Sequence, residues 1–97
     1  MALFVIERNF AEEIAPDAEM VDATEAYNRD AGLRWLFSFL SADKKKTYCL
    51  YEAADADALR KQAEALGYPA DVIVEVGEVN PQMFSTGASV SGILATS

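Results

Sequence analysis

Apolar and polar positions follow two rhythms along this chain, and the changes between them mark its elements. Leu3 to Arg8 is a short apolar run closing on Glu7 and Arg8, the pattern of a strand. Residues 9–16, with Asn9, two glutamates and Pro16, suit a connection. From Asp17 the period lengthens. Met20, Ala23, Tyr27 and Ala31 recur at helical spacing, with Asp17 placed to cap the start and Gly32 the end. Residues 33–41 are aromatic-rich and bounded, so a strand returns, and Ala42 to Lys45 has the composition of a hairpin turn. Lys46 to Ala53 is the third strand. Asp55 opens a second helix with Ala56, Leu59, Ala63 and Leu66 on its buried stripe, and Gly67 and Pro69 stop it. Val72 to Val79 is the last strand.

The order β-α-β-β-α-β is the ferredoxin-like arrangement, an α+β fold. It predicts a four-stranded antiparallel sheet with both helices on one face. Residues 1–81 make one domain, and residues 82–97 an uncharged Gly/Ser-containing tail. Alternation along the strands then distributes side chains between two faces. In the last strand Val72, Val74 and Val76 are expected under the helices, with Ile73 and Glu75 on the other side. In the second strand Trp35, Phe37 and Phe39 share one face. In the third, Tyr48, Leu50 and Glu52 oppose Thr47, Cys49 and Tyr51. Both faces are mostly apolar, and helices cover only one. The expected solution is a homodimer whose sheets pack together as an α/β barrel around a cavity. The competing solution folds the tail over the open face, through Phe84, Val90, Ile93 and Leu94.

Composition narrows the partners. The 97 residues make a single-domain chain with 52% hydrophobic and 25% charged residues, which reads as globular. Eight basic residues against 16 acidic ones give −8, which disfavours nucleic acid and anionic membranes. No run is long enough to span a membrane, and the apolar start lacks the basic flank of a signal peptide. A lone cysteine in such a chain makes the cytoplasm the expected location.

Several pieces together resemble a family of small bacterial proteins of unknown function with a dimeric ferredoxin-like α/β-barrel fold, one member of which is described as nickel-binding. They are the strand ending Glu7-Arg8; Gly32-Leu33-Arg34-Trp35 with Ser38; Asp43 to Ala53; and Ala63, Gly67, Pro69, Asp71, Ile73, Glu75, Val76 and Val79. The resemblance covers residues 3 to about 81 and implies the fold and the dimer. The nickel description of that member is where this chain departs from the resemblance. Nickel prefers imidazole and thiolate, and this chain has no histidine, so a divalent metal site would need Cys49 or carboxylates such as Glu75 alone.

The residues suggest their own chemistry. Glu75 sits mid-strand, where a buried carboxylate needs a partner such as Arg8 or Arg34 or a hard cation. Glu7 and Glu52 read most simply as strand-end carboxylates. Cys49 is most simply a core thiol, and otherwise a ligand or nucleophile. Trp35, Tyr48 and Tyr51 are packing residues whose polar tips could orient a ligand. Lys44 to Lys46 read as a solvated turn. No P-loop, dinucleotide fingerprint or paired-cysteine spacing is present. The leading expectation is a binding protein for a small apolar ligand or metal ion, using Glu7, Arg8, Trp35, Tyr48, Cys49, Tyr51 and Glu75. A small monooxygenase- or isomerase-like enzyme, or a regulator docking through its tail, are the alternatives.

Overall fold

Capping chemistry sets the helix limits, and the strands occupy the intervals. The computed structural model describes residues 1–86. Strand β1 (Ala2–Asn9) leads into α1 (Ala18–Ala31), β2 (Arg34–Leu40), β3 (Lys46–Ala53), α2 (Ala56–Leu66) and β4 (Val72–Val76), and a 3-10 turn (Pro81–Thr86) follows. The Asp17 carboxylate accepts from the Met20 N–H, and the Asp55 carboxylate from the Ala58 N–H, each at 2.9 Å. Gly32 and Gly67 end the helices at φ 72° and 73°, a left-handed conformation in which a Cβ costs about 1 kcal/mol.

The sheet order is β2-β3-β1-β4, and every neighbouring pair is antiparallel. This is the ferredoxin-like topology that the element order predicts. The core lies between the sheet and the helices, where Phe4, Ile6, Cys49, Tyr51 and Ala53 from the strands meet Leu33 and Leu59. At the β2–β3 turn Asp43 accepts from the Ser41 hydroxyl at 2.6 Å and from the Lys45 N–H at 3.0 Å. The Ser41 bond, and then the Lys45 bond, hold its carboxyl below the usual aspartate value.

Three expectations about faces are corrected. Pairing of β2 with β3 shifts between Trp35 and Phe37, a β-bulge. Trp35 therefore lies opposite Tyr51 on the helix side, while Phe37 and Phe39 lie opposite Leu50 and Tyr48 on the open side. In β4 the phase is reversed. Ile73 pairs with buried Ile6 and Glu75 with buried Phe4, so the helix side carries Ile73 and Glu75, and Val72, Val74 and Val76 face the open side. Glu75 is also exposed, because β4 is an edge strand. In α1 the buried positions are Thr24 and Asn28 rather than Ala23 and Ala31, since both polar side chains hydrogen-bond inward. Strand β4 also stops at Val76, short of Val79. Of the residues expected to fold over the open face, Phe84 is described and exposed, whereas Val90, Ile93 and Leu94 lie outside the described residues.

Candidate functional site

The segment from Phe10 to Pro16 is pinned to the hairpin tip. The Phe10 and Ile14 N–H groups donate to the carbonyls of Lys45 and Lys44, at 2.7 and 2.9 Å. The lysine turn thus has a backbone role, and it holds one wall of a cavity of about 290 Å³ between this loop, α1 and the helix side of the sheet. The walls are mainly apolar, with Phe10, Ile14, Met20, Trp35 and Leu40 among them. Polar atoms come from Arg8, Thr24, Thr47, Cys49, Tyr51 and Tyr68, and from the Trp35–Ser38 pair. An apolar hollow with a few convergent polar groups is the usual form of a small-molecule site, and this volume lies at the small end of that range.

Arg8 is the one charged residue of the lining, and only 3% of it is exposed. Alternation places it on the core side of β1 with Phe4 and Ile6. Its Nη1 donates to the Pro69 carbonyl at 2.9 Å and its Nη2 to Gln62 Oε1 at 3.0 Å. The guanidinium also lies 5.6 Å from the centre of the Tyr68 ring. Among the described residues no carboxylate forms an ion pair with it. A guanidinium does not deprotonate in proteins, so a full positive charge is held here by neutral partners.

Gln62 relays that charge into the core. With Oε1 committed to Arg8, its Nε2 donates to Asn28 Oδ1 and to the Tyr51 hydroxyl, both at 2.8 Å. Asn28 Nδ2 in turn donates to Glu25 Oε1 at 3.1 Å and to the Tyr51 hydroxyl at 3.3 Å. A cation at one end and a carboxylate at the other fix the direction of both amides. The Tyr51 oxygen therefore accepts twice, and burial, the largest effect, pushes its ionisation above the ordinary value of 10.0. Thr24 donates its hydroxyl to the Met20 carbonyl at 2.8 Å, which leaves Tyr68 as donor in their 3.0 Å contact. Thr24, Asn28, Gln62 and Tyr68 are not among the residues to which the sequence points. A signal was present, since Gln62 follows Leu59 by three on the buried stripe of α2.

The expected site residues divide between two faces. Arg8, Trp35, Cys49 and Tyr51 come together at the cavity. Glu7 and Tyr48 pair with each other on the open face, where Glu7 Oε2 is 3.7 Å from Lys46 Nζ. Glu75 lies at the exposed edge, and Arg34 pairs with Glu52 at 3.3 Å, so neither arginine is the partner of Glu75. Trp35 donates its indole N–H to Ser38 Oγ at 2.8 Å and stacks on Tyr51, with ring centres 6.2 Å apart. Cys49 belongs to the core, its thiol 3.7 Å from Thr47 Oγ1.

The donor set does not fit nickel. Cys49 and Glu75 stand on opposite sides of β1, opposite Ile6 and Phe4, so roughly 10 Å of sheet separates their strands. No three of His, Cys, Asp and Glu group around a common point among the described residues, and residues 87–97 contain none of these types. No described helix is long and apolar enough to cross a membrane.

Comparison with known proteins gives the lineage. A model of the family described as "Nickel responsive protein SCO4226-like" matches residues 4–76, from β1 to the last residue of β4. The crystal structure of SCO4226 from Streptomyces coelicolor A3(2) is similar with a TM-score of 0.66 at 22% identity, covering 81% of this chain and 100% of that one. At that identity the likeness speaks for the fold. None of the curated proteins matches.

Proposed function

Because this chain belongs to the SCO4226-like family, whose description is nickel responsive, we propose that it is a binding protein and that its ligand is a small organic molecule. The observation that carries this reading is the cavity of about 290 Å³, in which an unpaired buried cation sits among apolar walls. A metal reading follows from the family's description, and the donor chemistry of this chain opposes it. An enzymatic reading has less support. The titratable lining groups, Arg8, Cys49, Tyr51 and Tyr68, include no carboxylate or imidazole to move a proton near neutral pH.

The working unit we propose is a homodimer joined through the open face. Phe37, Phe39, Val72 and Val74 stand there at 50%, 64%, 44% and 48% exposure, a contiguous apolar surface of the kind that marks an interface. Its charges are already paired, Glu7 with Lys46 and Arg34 with Glu52. The cavity lies on the opposite side of the sheet and stays open when two such faces meet.

Native mass spectrometry of the full chain tests both parts. The expected spectrum is a dimer that gains one small organic ligand per chain and shows no stoichiometric nickel. Stoichiometric nickel at micromolar concentration would overturn the organic reading, and a monomer would remove the interface.

A further inference from the structure

Resting on the cavity reading above, we infer that the ligand is an apolar monocarboxylate of about eight carbons in all, its carboxylate received by Arg8 and the Tyr51 hydroxyl. Two observations point there independently. Arg8 has five N–H donors, of which two are committed. Its Nε makes no hydrogen bond among the described residues, yet no sealed side-chain nitrogen lacks a partner. The Nε therefore retains contact with open space, and the residue lines the cavity. Tyr51 is the second donor. Its oxygen accepts from Gln62 and Asn28, and its own proton has no acceptor among the described residues. One carboxamide, that of Gln62, bridges the two groups.

What remains unused around the cavity is thus donors, and what is missing is an acceptor with a negative charge. A carboxylate supplies both, and a guanidinium binds it through charge-assisted hydrogen bonds. A single cation in the lining matches a monoanion, whereas a dianion would bring a second charge with no counterpart. Volume sets the body. At roughly 30 Å³ for each water-sized group, 290 Å³ holds about ten non-hydrogen atoms. Two carboxylate oxygens and eight carbons fill that space.

The test is calorimetric titration of the full-length protein with octanoate and with its neutral isostere octanamide. We expect octanoate to bind at least tenfold more tightly, and Arg8→Met to abolish the difference while circular dichroism stays native. Equal binding of the two compounds would overturn the carboxylate assignment and leave the cavity as a ligand site. Binding of neither would remove the cavity reading itself. Should Arg8→Met fail to fold, Tyr51→Phe serves in its place, with an expected loss of several-fold for octanoate and little change for octanamide. An unchanged octanoate affinity in that variant would remove Tyr51 from the assignment.

Discussion

Replacing Gln62 by leucine probes the polar core most sharply. Gln62 is fully buried, and its amide makes three hydrogen bonds, to Arg8 at 3.0 Å and to Asn28 and Tyr51 at 2.8 Å each. A hydrogen bond contributes about 1 kcal/mol net between neutral groups and about 2 kcal/mol to a charged one. The three together give about 4 kcal/mol. Leucine fits the volume and adds apolar burial, which offsets about 1 kcal/mol. The expected loss is about 3 kcal/mol, a large share of the ~5–15 kcal/mol that holds a domain together. In urea, with a slope near 2 kcal/mol per molar, the midpoint falls by about 1.5 M. Tyr51→Phe removes the acceptor of one of these three bonds, so in a double-mutant cycle the pair should couple by about 1 kcal/mol. A midpoint shift below about 0.5 M, or strict additivity in the cycle, would refute the idea that Gln62 organises the buried charge.

Other outcomes follow from the same geometry. The Tyr51 phenol is neutral in the fold, and burial raises its pKa above the unfolded value of 10.0. Its contribution to stability is complete below pH 10 and is lost as pH rises through the higher folded value, so Tyr51→Phe should flatten the alkaline limb of a stability–pH curve. Gly67→Ala meets nothing within 4 Å, so its cost of about 1 kcal/mol is purely conformational and should appear as a melting decrease with unchanged spectra. Val74→Lys puts a charge on the exposed open face; if the proposed interface holds, analytical ultracentrifugation should find the unaltered chain dimeric and this variant a folded monomer. The net charge of −8 repels an anion before it reaches Arg8, so the association rate of octanoate should rise with salt.

The fold was legible in the sequence because its signals were local. Asp17, Asp55, Gly32 and Gly67 cap the helices where the pattern places them, and Lys46–Ala53 forms a strand with the expected limits. The phase of β4 was not legible. One side of β4 is all valine and the other carries Ile73 and Glu75, so alternation alone reads the valine side as the buried one. Long-range bonds fix the choice instead. The Asp71 N–H donates to the Glu7 carbonyl at 3.0 Å, and the Asn9 N–H to the Asp71 carboxylate at 2.7 Å. The bulge at Leu36 escaped for a similar reason, since an extra residue in an aromatic run leaves no mark in composition. The site was half legible. Arg8, Trp35, Cys49 and Tyr51 were named for their chemistry, and they meet because a strict period of two puts Arg8, Cys49 and Tyr51 on one face and the bulge turns Trp35 onto it. Asn28 and Gln62 carry little signal in the sequence because polar side chains on a helix usually face water. Here each is buried because the other, together with Arg8 and Tyr51, satisfies it.

The central claim is that ligand enters between α1 and the sheet, not on the open face. An amide-resolved NMR titration of the full chain with octanoate measures this directly. Perturbations should cluster on Arg8, Thr24, Asn28, Tyr51 and Tyr68. Perturbations confined to Phe37, Tyr48, Val72 and Val74 would contradict it and move the site to the open face.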